Sequence, residues 1–192
     1  MKFKLSAIAV VAATIAVFSH LADAAETGTT WFGSPADGQW LVGIKAGPVS
    51  TNDNRFGDAD NANLVLGYQF ARAIGDRGSV TAEFEYSDTY SDGNLNVIPG
   101  ASWHVPMWGG YLAYRTPGTV YFKAKLGILY SDIKTRDAGT FILDHSDTNL
   151  AFGAGLGVKL GARQNFLIEA EWTGTTGDST VDQVTVGGLY LF

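Results

Sequence analysis

Residues Leu150 to Leu160 read LAFGAGLGVKL. Taken alternately, Leu150, Phe152, Ala154, Leu156, Val158 and Leu160 make one face, and Ala151, Gly153, Gly155, Gly157 and Lys159 make the other. A strand sends successive side chains to opposite faces, so a period of two is a strand signal. The exposed face of a soluble sheet would carry Thr, Lys and Glu throughout, whereas this second face is almost all Gly and Ala. It suits a crowded interior, and the apolar face suits lipid. The length also fits a tilted membrane-spanning strand, which needs about 9–11 residues.

The same unit recurs along the chain. The first strand is expected over Trp40 to Pro48, with Val42, Ile44 and Ala46 facing away from Leu41, Gly43 and Lys45. The second covers Ala62 to Ala71, with Leu64, Leu66, Tyr68 and Phe70 outward. The third covers Ser79 to Ser87, with Phe84 and Tyr86 outward and Thr81, Glu83 and Glu85 inward. The fourth spans Ser102 to Arg115, where Pro106 cannot donate to a ladder and signals a bulge or a late start. The fifth covers Val120 to Ser131, with Phe122, Leu126 and Ile128 outward and Lys123, Lys125 and Gly127 inward. Leu150 to Leu160 is the sixth. The seventh, Asn165 to Thr173, turns Glu169 and Glu171 inward, and the eighth is Gln183 to Phe192.

The links alternate in length. Arg72 to Gly78, Thr116 to Thr119 and Gly161 to Gln164 are short and contain Gly, as hairpin turns do. Ser50 to Asn61, Asp88 to Gly100, Asp132 to Asp147 and Gly174 to Asp182 are longer. The expected fold is therefore all-β: a closed antiparallel eight-stranded transmembrane barrel with short periplasmic turns and longer extracellular loops. Charge divides the same way. The long links hold Asp53, Asp58, Asp60, Asp88, Asp92, Asp132, Asp137, Asp144, Asp147, Asp178 and Asp182 against Arg55, Lys134 and Arg136, whereas the turns and strand ends hold Arg72, Arg77, Arg115 and Arg163 against Asp76.

Residues 1–24 read as a cleaved secretory signal peptide: Lys2 and Lys4, an apolar run from Leu5 to Phe18, then the small residues Ala22 and Ala24. Residues 25–39 read as a periplasmic N-terminal segment and 40–192 as the barrel. N-terminal sequencing of protein from outer membranes should begin at Ala25, and a retained Met1 would overturn the export reading. The chain has no Cys, so disulfide and thiol chemistry are excluded. After residue 24 no apolar run of about twenty residues remains to form a spanning helix.

These stretches carry a resemblance. NLVLGYQF followed by SVTAEFEY, GAGLGVKL followed by NFLIEAEW, and the closing VGGLYLF resemble the small eight-stranded outer-membrane barrels, the OmpA-type transmembrane domain and OmpX. The resemblance covers nearly all of the chain after residue 24. It implies residence in a bacterial outer membrane and contact with its lipid and lipopolysaccharide. It further implies a monomer, and a C-terminal signal at Tyr190 and Phe192 read by the barrel-assembly machinery. The chain is expected to lack the peptidoglycan-binding domain of full-length OmpA.

The inward charges are the candidate site. Lys45, Glu83 with Glu85, Lys123 with Lys125, and Glu169 with Glu171 fall at similar heights on alternate strands, with alternating sign. Four lysines, Lys159 included, balance four glutamates. An eight-stranded lumen is only wide enough for its own side chains. Paired charges are tolerable there and unpaired ones are not. The expectation is a structural ion-pair layer that plugs the lumen. It leaves an envelope-structural or surface-contact role without catalytic residues, cofactor or metal. The rivals are a narrow pore gated by those pairs, as discussed for OmpA-type barrels, and a lipid A-modifying enzyme. Lipid A deacylases are also eight-stranded barrels, using a His-x-Ser spacing that this chain lacks: His145 and Ser146 are adjacent, and His145 is expected in a loop. His104 has no evident partner in the sequence. The Asp/Asn-rich Asn52 to Asn61 lacks the ligand order of an EF-hand. Nucleic acid is disfavoured by the acidic balance and the absence of a basic stripe.

Overall fold

The computed structural model describes residues 38–70, 78–137, 140–177 and 180–192. The signal peptide, the N-terminal segment up to residue 37 and most of the 72–78 turn lie outside the described residues. The strands are β1 (Gly38–Thr51), β2 (Ala59–Phe70), β3 (Ser79–Ser91), β4 (Gly93–Asn94), β5 (Ser102–His104), β6 (Met107–Arg115), β7 (Val120–Asp137), β8 (Thr140–Leu160), β9 (Phe166–Thr175) and β10 (Val181–Leu191).

Each long strand pairs antiparallel with the next long one, β1–β2–β3–β6–β7–β8–β9–β10, and β10 returns to β1 through Leu41↔Leu191 and Val49↔Gln183. Closure leaves the eight-stranded wall without an edge through the apolar belt, so backbone groups are satisfied there without water. Trp40 and Phe192 complete the seam, exchanging backbone hydrogen bonds at 3.1 and 3.0 Å. The short turns fall where expected, at 116–119 and 161–165, and Gly118 takes a φ of +112° that favours glycine.

Period two sorts the side chains. Leu66, Phe84, Leu112, Phe122, Leu126, Ile128, Leu156 and Val186 face outward and exposed, while their neighbours in sequence turn in. An exposed apolar belt of this extent is out of place in water and suits a lipid boundary. Aromatic rings rim it at both ends. Trp40, Tyr68 and Phe70 make edge contacts at 5.2 and 5.6 Å near the turns, and Trp108 stacks on Tyr130 at 5.3 Å near the loops.

The loop end departs from expectation. The 132–147 stretch is not a loop: β7 and β8 run through it as a paired hairpin, separated by residues 138–139. His145 is accordingly a β8 residue opposite Ile133, not a loop residue. Likewise Asp60, Asp88 and Asp182 sit on β2, β3 and β10. Above the lipid an outward face can be polar, so the apolar alternation stops where backbone pairing does not. The fourth strand starts late: β5 and β6 are separate, and Pro106, without an N–H, offers only its carbonyl, which accepts from Asp132 N–H at 3.1 Å.

The break lets 92–106 fold over the mouth. Trp103 is wholly buried there, its Nε1–H donating to Gly57 O at 2.8 Å and its ring meeting Phe56 edge-on at 5.4 Å. In the neighbouring loop Arg55 engages both carboxylate oxygens of Asp53, and these hydrogen bonds hold that carboxyl below its usual pKa.

Candidate functional site

The strands deliver four inward layers. Nearest the turns lies an apolar cluster of Leu41, Val65, Tyr121, Leu167, Leu189 and Leu191. Nearest the loops lies a second, built around Trp103, Met107, Tyr111, Leu129 and Ile133. Charge lies between them. Lys45 on β1 reaches Glu85 at 2.9 Å and Glu171 at 3.2 Å. Lys123 on β7 reaches Glu83 at 2.8 Å, Glu171 at 2.7 Å and Glu169 at 3.1 Å. Lys125 reaches Glu85 at 2.9 Å and Glu171 at 2.5 Å. All seven of these residues, expected inward from sequence, thus meet in one network.

The eighth member is Arg115, at the end of β6. Its side chain is about 1% exposed and bridges Glu83 at 2.6 Å and Glu169 at 2.7 Å. The sequence groups Arg115 with the turns and places Lys159 inside. Lys159 instead stands half-buried over the Tyr121 ring, 5.7 Å from its centroid. The parity of β6 held the signal: Leu112 and Tyr114 are outward, so Arg115 must be inward. The layer thus sets Lys45, Arg115, Lys123 and Lys125 against Glu83, Glu85, Glu169 and Glu171, for no net charge.

Neutral groups complete it. Tyr121 Oη donates to Glu169 at 2.9 Å, Arg115 donates to Thr81 Oγ1 at 2.9 Å, and Lys125 Nζ sits 4.0 Å from the Tyr111 ring centroid. Above it an amide belt spans the lumen. Asn63 and Gln183 exchange side-chain hydrogen bonds at 3.0 and 2.9 Å, and Asn61 donates to Ser87 at 2.9 Å. Between belt and ions lies a cavity of about 10 Å³, roughly one water in size, lined in part by Asn63, Glu85, Ser87 and Gln183. A cavity of that size admits about one water and no larger solute. What the ion-pair layer and the amide belt can do chemically is hold opposed strands in one register.

The glycines opposite these side chains are spacers. A Cβ on Gly157 would fall 2.4 Å from Tyr121 Oη, inside van der Waals contact. Gly157→Val should therefore destabilise the barrel by about 1–3 kcal/mol, measured as a lower urea midpoint. No loss would mean that the Tyr121 ring is free to move aside.

A closed antiparallel eight-stranded barrel with an apolar outer belt, aromatic rims and a filled polar lumen has the architecture of the small outer-membrane barrels. Solved structures agree. Ail, the attachment invasion locus protein of Yersinia pestis, is similar at a TM-score of 0.58 and 20% identity, over 81% of this chain and 99% of that one. Neisserial surface protein A is similar at 0.61 and 10% identity, over 80% and 97%. The N-terminal barrel domain of Pseudomonas aeruginosa OprF is similar at 0.55 and 21% identity, over 81% and 99%. At these identities the likeness is one of fold. No protein-family model matches the sequence, and no curated protein matches it.

Proposed function

We propose that this chain is a non-enzymatic integral barrel of a bacterial outer membrane, its strand termini on the periplasmic side, acting through its outer surface rather than its lumen in envelope structure and surface contact. One observation carries the reading: among the described residues the lumen is lined by two apolar clusters with a neutral ion-pair layer and an amide belt between them. An ion crossing it would have to break buried pairs that leave stranded charges, which is costly. The names of two solved barrels of this fold, an attachment invasion locus protein and a surface protein, support the surface side of the proposal.

The test is conductance of the purified protein in planar bilayers. A flat baseline is expected, and reproducible conductance steps would overturn the closed-lumen reading in favour of a pore. Orientation is tested separately. The native chain has no Cys, and Val97 at the loop end is 58% exposed, so Val97→Cys offers a single thiol. A membrane-impermeant maleimide should label it in intact cells; absence of labelling would overturn the outward placement of the loops. For the enzymatic rival, mass spectra of lipid A from cells with and without the protein should coincide, and an altered acylation pattern would overturn the non-enzymatic reading.

A further inference from the structure

The cap over the mouth hangs on a short seam. Residues 92–106 carry β4 and β5, and β5 joins the wall only through Ser102↔Arg136, Trp103↔Thr135 and His104↔Lys134 of β7. On its other side Val105 N–H donates to Thr89 Oγ1 of β3 at 2.9 Å. Inward, Leu95, Ala101, Trp103 and Val105 roof the apolar cluster at the loop end, over Met107 and Ile133. Outward, strand parity sets His104 opposite Lys134 and diagonal to Arg136. This row lies above the Trp108–Tyr130 stack and so outside the apolar belt.

His104 is the weak point of that seam. Its Nδ1 is buried and has no hydrogen-bond partner among the described residues. A neutral imidazole can leave one nitrogen as a bare acceptor. An imidazolium carries N–H on both nitrogens, so it would have to hold a charged donor there without an acceptor, which costs far more. Two cations face the ring from β7, Lys134 and Arg136, with Asp132 paired to Lys134 at 2.8 Å. Two carboxylates face it from the other side, Asp88 on β3 and Asp92 just beyond β3. Asp92 also accepts from Ser102 Oγ at 3.3 Å. Burial first and the Arg136 guanidinium second hold the ring below its usual pKa; Asp92 and Asp88 oppose them, and Lys134 adds a smaller push downward.

We propose that His104 is a pH-sensitive latch on the cap: neutral, it lets β5 lie against β7 with the cap closed, and protonated, it releases β5 and with it Trp103. Because closure lowers its pKa, the ring favours the closed cap most above about pH 6.5, its ordinary value, and that contribution is lost as the pH falls through the closed-state value. Release uncovers the apolar cluster beneath, while the amide belt and the ion-pair layer below it stay in place. Acid thus changes what the loop end presents to its surroundings without opening the lumen. Trp103 reports the state, since it is wholly buried in the closed cap with its Nε1–H on Gly57 O at 2.8 Å.

The test is hydrogen exchange of the Trp103 indole N–H, followed by NMR of the protein in zwitterionic micelles. The signal is identified by its loss in Trp103→Phe, and each rate is divided by that of a free indole at the same pH. From about pH 8 to about pH 5, where His is the side chain that ordinarily titrates, the corrected rate should rise severalfold, toward about tenfold for each unit by which closure lowers the pKa. His104→Gln, neutral throughout, should lose the rise. Arg136→Gln removes a repelling cation and should shrink it, whereas Asp92→Asn removes an attracting carboxylate and should enlarge it. His145→Gln, at the other histidine of the loop end, should leave it intact. A flat ratio in the native protein, a rise that survives His104→Gln, a rise lost in His145→Gln, or charge variants acting in the reverse order would each overturn the proposal. If His104→Gln loosens the cap even at the upper pH, the two charge variants, which keep the histidine, still decide. Bilayer conductance should stay at baseline at both ends of the range, so failure of the latch and failure of the closed-lumen reading are separable.

Discussion

Glu169→Ala is expected to cost the barrel about 3–5 kcal/mol, the range for breaking a buried pair by removing one partner. Glu169 accepts from Arg115 at 2.7 Å, Tyr121 at 2.9 Å and Lys123 at 3.1 Å. Its loss strands a guanidinium whose other partners are Glu83 and Thr81, and leaves the Tyr121 hydroxyl without its acceptor. The cost arises from what is left behind rather than from the worth of the pair, since desolvation offsets most of the attraction between two buried charges. Glu169→Gln keeps the shape and one acceptor oxygen and should lose less. The measurement is the urea midpoint in detergent micelles. The network gives a sharper form of the same prediction. Lys123 touches Glu83 at 2.8 Å, whereas no ion pair joins Lys123 to Glu85. A double-mutant cycle on Lys123 and Glu83 should show coupling, with the double Ala variant recovering part of the summed loss. A cycle on Lys123 and Glu85 should be nearer additive. Strict additivity in both would mean that β3 and β7 do not share a luminal layer.

The parts of this network that the sequence displayed are those governed by strand parity. Glu83 and Glu85, Lys123 and Lys125, and Glu169 and Glu171 each sit between apolar residues, so one choice of outward face turns all of them inward. Arg115 obeys the same parity, but it ends its strand beside a turn, where an Arg is equally at home in water. Only the lumen geometry, with Glu83 and Glu169 within 2.7 Å, draws it inside. The amide pair of Asn63 and Gln183 is less legible still, because uncharged polar residues near a loop end carry no sign that demands a partner. The cap over the mouth was invisible. Ser102-Trp103-His104 is too short for a periodic pattern, and Trp103 is buried by Phe56 and Gly57, far back in the chain. The extension of β7 and β8 is hidden in the sequence for a physical reason as well. Beyond the lipid the ladder is held by backbone bonds and by inward residues such as Ile133, while its outward residues, Asp132 and Lys134, look like those of a loop.

Phe192→Ala is expected to cut the amount of protein reaching the outer membrane severalfold, with a much smaller effect on refolding into detergent. The VGGLYLF terminus resembles a barrel-assembly signal, and the position of its last residue separates recognition from stability. The Phe192 ring stacks loosely on Tyr190 at 6.4 Å between centroids and remains half-exposed, so the finished barrel loses little apolar burial without it, on the order of 1 kcal/mol. The Phe192 backbone is another matter. It exchanges two hydrogen bonds with Trp40 and closes the β1–β10 seam. Deleting the residue would therefore remove both the ring that a receptor reads and part of the seam, and a loss in either assay would be ambiguous. The substitution keeps the seam and removes only the ring. Quantifying the variant in outer-membrane fractions and comparing its urea midpoint after refolding separates the two roles. Equal proportional losses in both assays would show that the ring acts through stability and would sink the recognition proposal.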